Sequence, residues 1–260
     1  MDGEALARAA KEIVAHRLSG TPVARMVDLA TLEAGYACQR LANRALAKAL
    51  GPVAGLKIGG TAEAARRLIG IEQPILGEVF ASTVHASGAR LPFSRYRRPG
   101  IETEIAVRLG RDLPARPAPY TRAEVADAIA TIMAAIELVD DRYEALAGVG
   151  GPTLVADNAC NAGSILGAER RFDPALALDR LGARTLVDGR EVATGSGAAL
   201  LGHPLEALLF AVECRRRLGL GLEAGTFVSL GTMTLPQWAE GPAGYRIEVE
   251  ALGTVELVLV

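Results

Sequence analysis

Glu102, Glu104 and Glu137 are the residues of this 260-residue chain whose type and spacing invite chemistry. In the run Ile101-Glu102-Thr103-Glu104-Ile105-Ala106-Val107-Arg108-Leu109, apolar residues fall at Ile101, Ile105, Val107 and Leu109, the two-residue period of a strand with one buried face. Glu102 and Glu104 then share the opposite face. Two adjacent carboxylates repel unless they are solvated, paired with cations or bound to a metal, and this pair alone reads as a solvated face. A second strand-like run, Ile136-Glu137-Leu138-Val139-Asp140, sets a third glutamate inside apolar sequence, where a carboxylate needs a partner. Three carboxylates with no histidine nearby suit a hard ion such as Mg2+ or Mn2+ and leave room for water or a chelating ligand, whereas zinc asks for His or Cys.

Other candidates are weaker. Asp157 and Asn158 follow an apolar stretch and admit two readings: a side-chain cap of a turn or helix, or a group that orients metal, water or substrate. His203, before Pro204, reads as a helix-start residue, and His16 and His85 join no constellation. Gly195 and Gly197 read as turn glycines, because the third position of a dinucleotide fingerprint is Leu200 and no G-x-x-x-x-G-K-[ST] occurs. No G-x-S-x-G elbow supports a serine hydrolase.

The elements that must position these side chains follow from periodicity. The first 70 residues show helical spacing, with Leu6, Ala10, Ile13 and Val14, then Leu32, Tyr36, Leu41 and Leu46, before a stop at Gly51-Pro52. Thr61 is the expected N-cap of a short third helix that ends at Gly70. From about Ile75 the texture changes to short β-like runs, which predicts a helical region over 1–74 and a β-rich catalytic domain over 75–260. Two helices interrupt the second part. One opens with the capping box Thr121-Arg122-Ala123-Glu124 and is expected to reach about Ala135; the other starts at Pro204 and stops at Gly219. Val255, Leu257 and Leu259 mark a terminal strand.

Composition narrows the partners. With 28 basic and 30 acidic side chains the formal charge is -2, so the chain lacks the basic footprint of a nucleic-acid binder. Arg95, Arg97, Arg98 and the run 215–217 read as a solvated rim or helix end, with anion steering as the alternative. Three cysteines without a C-x-x-C pair fit a reducing cytosol. Neither a secretory n-region and h-region nor 18 uninterrupted apolar residues occur, so a cytoplasmic protein without a membrane partner is expected. Half the residues are hydrophobic and the mean hydropathy is +0.24, which predicts a homo-oligomer that hides apolar surface between subunits.

Landmarks along most of the chain resemble a known family. They are Gly55-Leu56-Lys57-Ile58-Gly59-Gly60-Thr61, Gln73-Pro74, Leu91-Pro92-Phe93-Ser94-Arg95, Ile101-Glu102-Thr103-Glu104-Ile105-Ala106, Ala135-Ile136-Glu137, Val155-Ala156-Asp157-Asn158-Ala159 and Leu201-Gly202-His203-Pro204. Together they are similar to the 2-oxopent-4-enoate hydratase and 4-oxalocrotonate decarboxylase group of the fumarylacetoacetate hydrolase superfamily. The resemblance implies an α+β fold, with a helical N-terminal part on a mixed β-sandwich roll, and Mg2+ or Mn2+ held by Glu102, Glu104 and Glu137. It also implies a small-molecule 2-oxo acid that chelates the ion through a carboxylate oxygen and the 2-oxo oxygen, so that an enolate is stabilised when a proton moves or CO2 leaves.

Lys57 matches the family's active-site lysine and is expected to transfer protons or pair with the substrate carboxylate. Asp157 is the second expected catalytic residue, and Cys160 joins Lys57 as an expected substrate contact. The chain departs from the family pattern at Ile75, where hydratases carry an acid, at Cys160, where serine is usual, and at Ser196, where arginine is usual. Hydration or decarboxylation is the implied reaction. The alternatives are C–C hydrolysis or tautomerisation of an acylpyruvate-like acid on the same metal, and a non-catalytic subunit in complex with an active relative.

Overall fold

The computed structural model describes residues 3–21 and 29–260. Two long helices come first, α1 (Gly3–Ser19) and α2 (Leu32–Leu50), packed against each other. The Thr31 hydroxyl accepts from the Ala34 amide to cap α2, and Gly51, at φ 78°, ends it. The chain then enters a strand, β1 (Val53–Gly59), inside the region expected to be helical. Lys57 therefore sits on a strand. Leu56, Lys57 and Ile58 are all buried because β1 is covered on both faces, and a strand covered on both faces carries no two-residue alternation. Gly55 is required there, since a Cβ would strike the Phe227 ring.

A short helix follows, α3 (Glu63–Ile69), ended by Gly70 in the left-handed conformation. Its N-cap is Ala62 rather than Thr61, whose buried side chain packs against the backbone at Gly231 instead. Four strands come next: β2 (Ile75–Phe80), β3 (Val84–Ala86), β4 (Ala89–Leu91) and β5 (Pro99–Leu109). The capping box at Thr121 forms as expected, with the Thr121 hydroxyl and the Glu124 carboxylate each satisfying the other's amide. The helix it opens, α4 (Arg122–Asp127), is shorter than expected. Residues 129–135 belong to β6 (Ile129–Asp140), where Ile129, Thr131, Ile132 and Ile136 favour an extended chain and β5 offers a partner from Leu109 to Pro99.

The remaining elements are α5 (Gly151–Ala156), β7 (Asn161–Leu166), β8 (Arg170–Arg171), β9 (Gly182–Val187), β10 (Arg190–Ser196), α6 (Pro204–Arg217), β11 (Phe227–Thr232), β12 (Gln237–Trp238), β13 (Ala243–Val249) and β14 (Gly253–Leu259). Helix α6 is capped by His203 Nδ1, which accepts from the Leu205 amide, and it buries Ala207, Leu208, Ala211 and Val212.

The strands make two sheets. A nine-stranded sheet runs β2-β1-β11-β5-β6-β7-β3, with β12 added beside β5 and β8 beside β6; a five-stranded sheet runs β10-β9-β13-β14-β4. The second sheet packs on β5, β6 and β7 of the first, and a hydrogen bond of 2.7 Å between the Thr103 and Thr185 hydroxyls joins the layers. Helices α2 and α5 pack against β2, and α6 against β1 and β11. The result is the α+β arrangement expected, a β-sandwich with helical cover.

Candidate metal centre

Register brings the charged residues together. In the antiparallel ladder of β5 and β6, Glu102 is paired with Glu137 and Glu104 with Ala135, and Glu137 is in turn paired with Ser164 of β7. Paired residues share a face, so the carboxylates line one side of the large sheet. Their neighbours Ile101, Thr103 and Ile105 point the other way, into the sandwich. The glutamate face is not the solvated one its sequence suggested: Glu104 and Glu137 are fully buried, under the helices and loops that cover this side. On the other side of β5, Ser229 of β11 pairs with Ala106 and with Lys57 of β1. An irregularity at Gly231, with φ 105°, shifts the β11 register so that Thr232 pairs with Glu104.

Each buried glutamate has one oxygen tied to the protein and one left bare. Glu137 Oε1 accepts from Lys57 Nζ at 3.0 Å and from Asn161 Nδ2 at 3.0 Å, while its Oε2 has no hydrogen-bond partner. Glu104 Oε2 accepts from the Ser229 hydroxyl and from the Gly231 amide at 3.2 Å, while its Oε1 is likewise bare. Candidate ligand oxygens of Glu102, Glu104 and Glu137 all lie within 4.8 Å of one another. Bare buried oxygens are costly unless a cation takes them. Oxygen-only donors with no His or Cys among them fit a hard divalent ion.

The electrostatics agree. Burial, and then Glu137, push the Glu102 carboxyl from 4.5 up to about 8. Burial, Glu137 and Glu102 drive Glu104 well above the usual carboxyl range. Burial opposes the charge on Lys57, yet Glu137, Glu102 and Glu104 together raise its pKa, so the amine stays an ammonium. The cluster is short of positive charge, and a divalent ion would supply it.

A cavity of about 480 Å³ opens beside these groups. Lys57 and Glu102 are the charged side chains among its described lining, and Ile75, Val139, Leu146, Leu154 and Trp238 form much of the wall. Cys160 lines it too; burial and Asp157 push its thiol up, leaving a neutral wall rather than a nucleophile. Ile75, the position where an acid was expected from the family pattern, also faces this space.

Asp157 stands elsewhere. It ends α5, and its Oδ2 accepts from Arg142 Nη2 at 2.8 Å and from the Tyr143 hydroxyl at 3.0 Å. It is absent from the described cavity lining, and Arg142 and Tyr143 bind its carboxylate. Asn158 is bound on both amide atoms by Asn43. Ser196 ends β10 in the second sheet, away from the described lining. Gly195 lies within β10, where a Cβ would collide with the Met233 carbonyl, so it marks a close approach rather than a turn. Arg215 and Arg216 are not a solvated helix end, since Arg215 pairs with Glu78 at 2.8 Å and Arg216 with Glu213 at 2.9 Å.

Sequence reasoning missed Asn161, Ser229 and Gly231, the partners that orient the glutamates. Their types carry no signal of their own; only register against the glutamates finds them.

This fold and site define a class. The fumarylacetoacetate hydrolase C-terminal family matches residues 61–260, and the chain belongs to that family. Within it, the chain falls in the 2-keto-4-pentenoate hydratase and 4-oxalocrotonate decarboxylase group of enzymes. The 2-keto-4-pentenoate hydratase of Burkholderia vietnamiensis is 34% identical over 261 residues, covering 98% of this chain and 97% of that one. A 4-oxalocrotonate decarboxylase of a Pseudomonas species is 31% identical over 201 residues, covering 77% and 76%. The solved structure of 4-oxalocrotonate decarboxylase from Pseudomonas putida G7, complexed with magnesium and adipate, has a TM-score of 0.89 at 26% identity and covers 100% of this chain and 99% of that chain.

Proposed function

We propose that this enzyme is a lyase that hydrates or decarboxylates a 2-oxo acid of the 2-hydroxydienoate type, with Mg2+ or Mn2+ held by Glu102, Glu104 and Glu137. The observation that carries the reading is the pair of bare carboxylate oxygens on Glu104 and Glu137, buried beside Glu102 and next to the ammonium of Lys57. A divalent ion held there by Glu102, Glu104 and Glu137 would supply Lewis-acid chemistry to a chelating 2-oxo acid.

The chain's own residues do the rest. Lys57 Nζ, fixed by Glu137 Oε1 and by the Ala159 carbonyl at 3.1 Å, presents its proton to the cavity. It holds the substrate carboxylate and moves a proton at the carbon chain next to the 2-oxo group. Ile75, Val139, Leu146 and Leu154 receive the substrate's tail, with the Cys160 thiol as part of the same wall. Ile75 has no proton to give. That favours decarboxylation, which needs one proton delivered to carbon, over hydration, which also needs a water activated. The same reading includes a cytoplasmic homo-oligomer, supported by three free buried cysteines and by exposed Leu18, Val192 and Leu235.

The test is ultraviolet absorbance of a panel of 2-hydroxydienoates and acylpyruvates with Mg2+, Mn2+ or chelator, followed by product analysis. Loss of the dienol signal that needs metal supports the reading, and the products separate CO2 release from hydration and from C–C hydrolysis. Turnover unaffected by chelator, or none with any acid of the panel, rejects it.

A further inference from the structure

The turn at 157–161 is built in a form its residues resist. Asn158, Ala159 and Cys160 have φ of 55°, 50° and 63° in succession. Asparagine tolerates the left-handed region, but alanine and cysteine bring Cβ against a carbonyl oxygen there, a bias of roughly five- to thirtyfold per residue. Strain of this kind persists only where the surroundings over-determine it. Room for the turn is made at Gly77, where a Cβ would lie 2.8 Å from the Asn158 carbonyl oxygen.

Two arginines, Arg142 buried and Arg17 half-buried, hold the turn by its carbonyls. Arg142 donates to Cys160 O at 3.4 Å and Asn161 O at 3.3 Å, besides its bond to the Asp157 carboxylate. Arg17, near the end of α1 and far away in sequence, donates to Asn161 O at 2.8 Å and Asp157 O at 3.3 Å, with its guanidinium over the Phe80 ring. One arginine would suffice to neutralise Asp157. A second cation is costly beside the first, and burial followed by Arg142 pulls the Arg17 pKa down to about 10. Arg17 stands 3.8 Å from Asp157 Oδ1, and beyond that ion pair it adds a fork that spans both ends of the strained turn.

What the turn delivers is one carbonyl. Ala159 O accepts from Lys57 Nζ at 3.1 Å, and Ala159 and Cys160 line the cavity. We propose that Arg17 is a positioning residue of the active site: with Arg142 it holds the turn at 157–161 in its left-handed form, so that the Ala159 carbonyl keeps Lys57 aimed at the substrate. The proposal rests on the role given to Lys57 above.

Two measurements on the full chain test it, one needing no substrate. In Arg17→Met, which keeps the packing on Phe80, the amides of 158, 159 and 161 exchange hydrogen at least about tenfold faster, while those of α2 stay at the wild-type rate. In the metal-loaded enzyme, kcat falls at least about tenfold with KM within about threefold, the mark of lost alignment rather than lost binding. Arg17→Lys, which keeps the charge but reaches a single carbonyl, falls between. Adding Ala159→Gly to Arg17→Met removes one penalty on the turn and recovers about fivefold or more of the rate. Wild-type exchange across the turn in Arg17→Met overturns the proposal, and so does a rate that the added glycine leaves unimproved. A wild type that turns over no oxo acid counts against the proposed reaction, and exchange then judges the clamp alone.

Discussion

Metal binding to this protein should depend steeply on pH, and the slope counts protons. In the metal-free chain Glu102 titrates near 8 and Glu104 above the usual carboxyl range. At pH 7 Glu102 holds a proton, and an ion that coordinates its carboxylate must displace it, so entry releases about one proton from Glu102. Apparent affinity then rises roughly tenfold from pH 6 to pH 7 on account of Glu102, equivalent to about 1.4 kcal/mol, and the upward shift of Glu104 works in the same direction. Lys57, raised above its ordinary value, stays charged over this range and adds nothing to the slope. Stability of the metal-free protein runs the other way. A carboxyl with a raised pKa binds more protons folded than unfolded, so its contribution is fully present below about 4.5 and is lost as pH climbs to about 8. Calorimetric titration with Mn2+ at pH 7, in two buffers of different ionisation enthalpy, gives the proton count directly, and repetition at pH 6 gives the slope. No proton release, with an affinity flat between the two pH values, would refute a shared buried site.

Four substitutions probe its parts. Glu102→Gln and Glu137→Gln should each abolish Mn2+ binding by calorimetry, and wild-type affinity in both would remove them from the ligand set. Ser229→Ala frees the Glu104 oxygen it now holds and should weaken Mn2+ about 10- to 100-fold with little change in melting temperature; an unchanged affinity means that Ser229 does not orient the ligand. Lys57→Met takes a positive charge away from 3.0 Å of Glu137, so metal affinity should hold or improve while turnover falls at least about a hundredfold. A variant with wild-type turnover would mean that Lys57 handles no proton.

The glutamates and the helix caps are plainer in the sequence than the strands that join them. Glu102, Glu104 and Glu137 were legible because alternation places residues on strands and because acids amid apolar residues need partners. The helix caps at Thr121 and His203 were legible because capping chemistry is local. Strand β1 was not, since a strand covered on both faces has no polar side to alternate with. Residues 129–135 followed a sound helix start and so read as helix, although pairing with β5 decides their conformation. Asp157 looked catalytic from its place in a motif, and Arg142 and Tyr143, which bind its carboxylate, became visible only in three dimensions.

The row of paired residues across the large sheet also ties folding to activity. Side chains on a strand alternate, so a slip of one residue between β5 and β6 would turn Glu102 and Glu104 into the dry layer between the two sheets and Thr103 out to the metal. Such a chain would have three carboxylates to neutralise and no ligand cluster to hold an ion. A misaligned molecule therefore has no half-formed site to persist in: the register that gathers the glutamates also makes a one-residue slip uninhabitable.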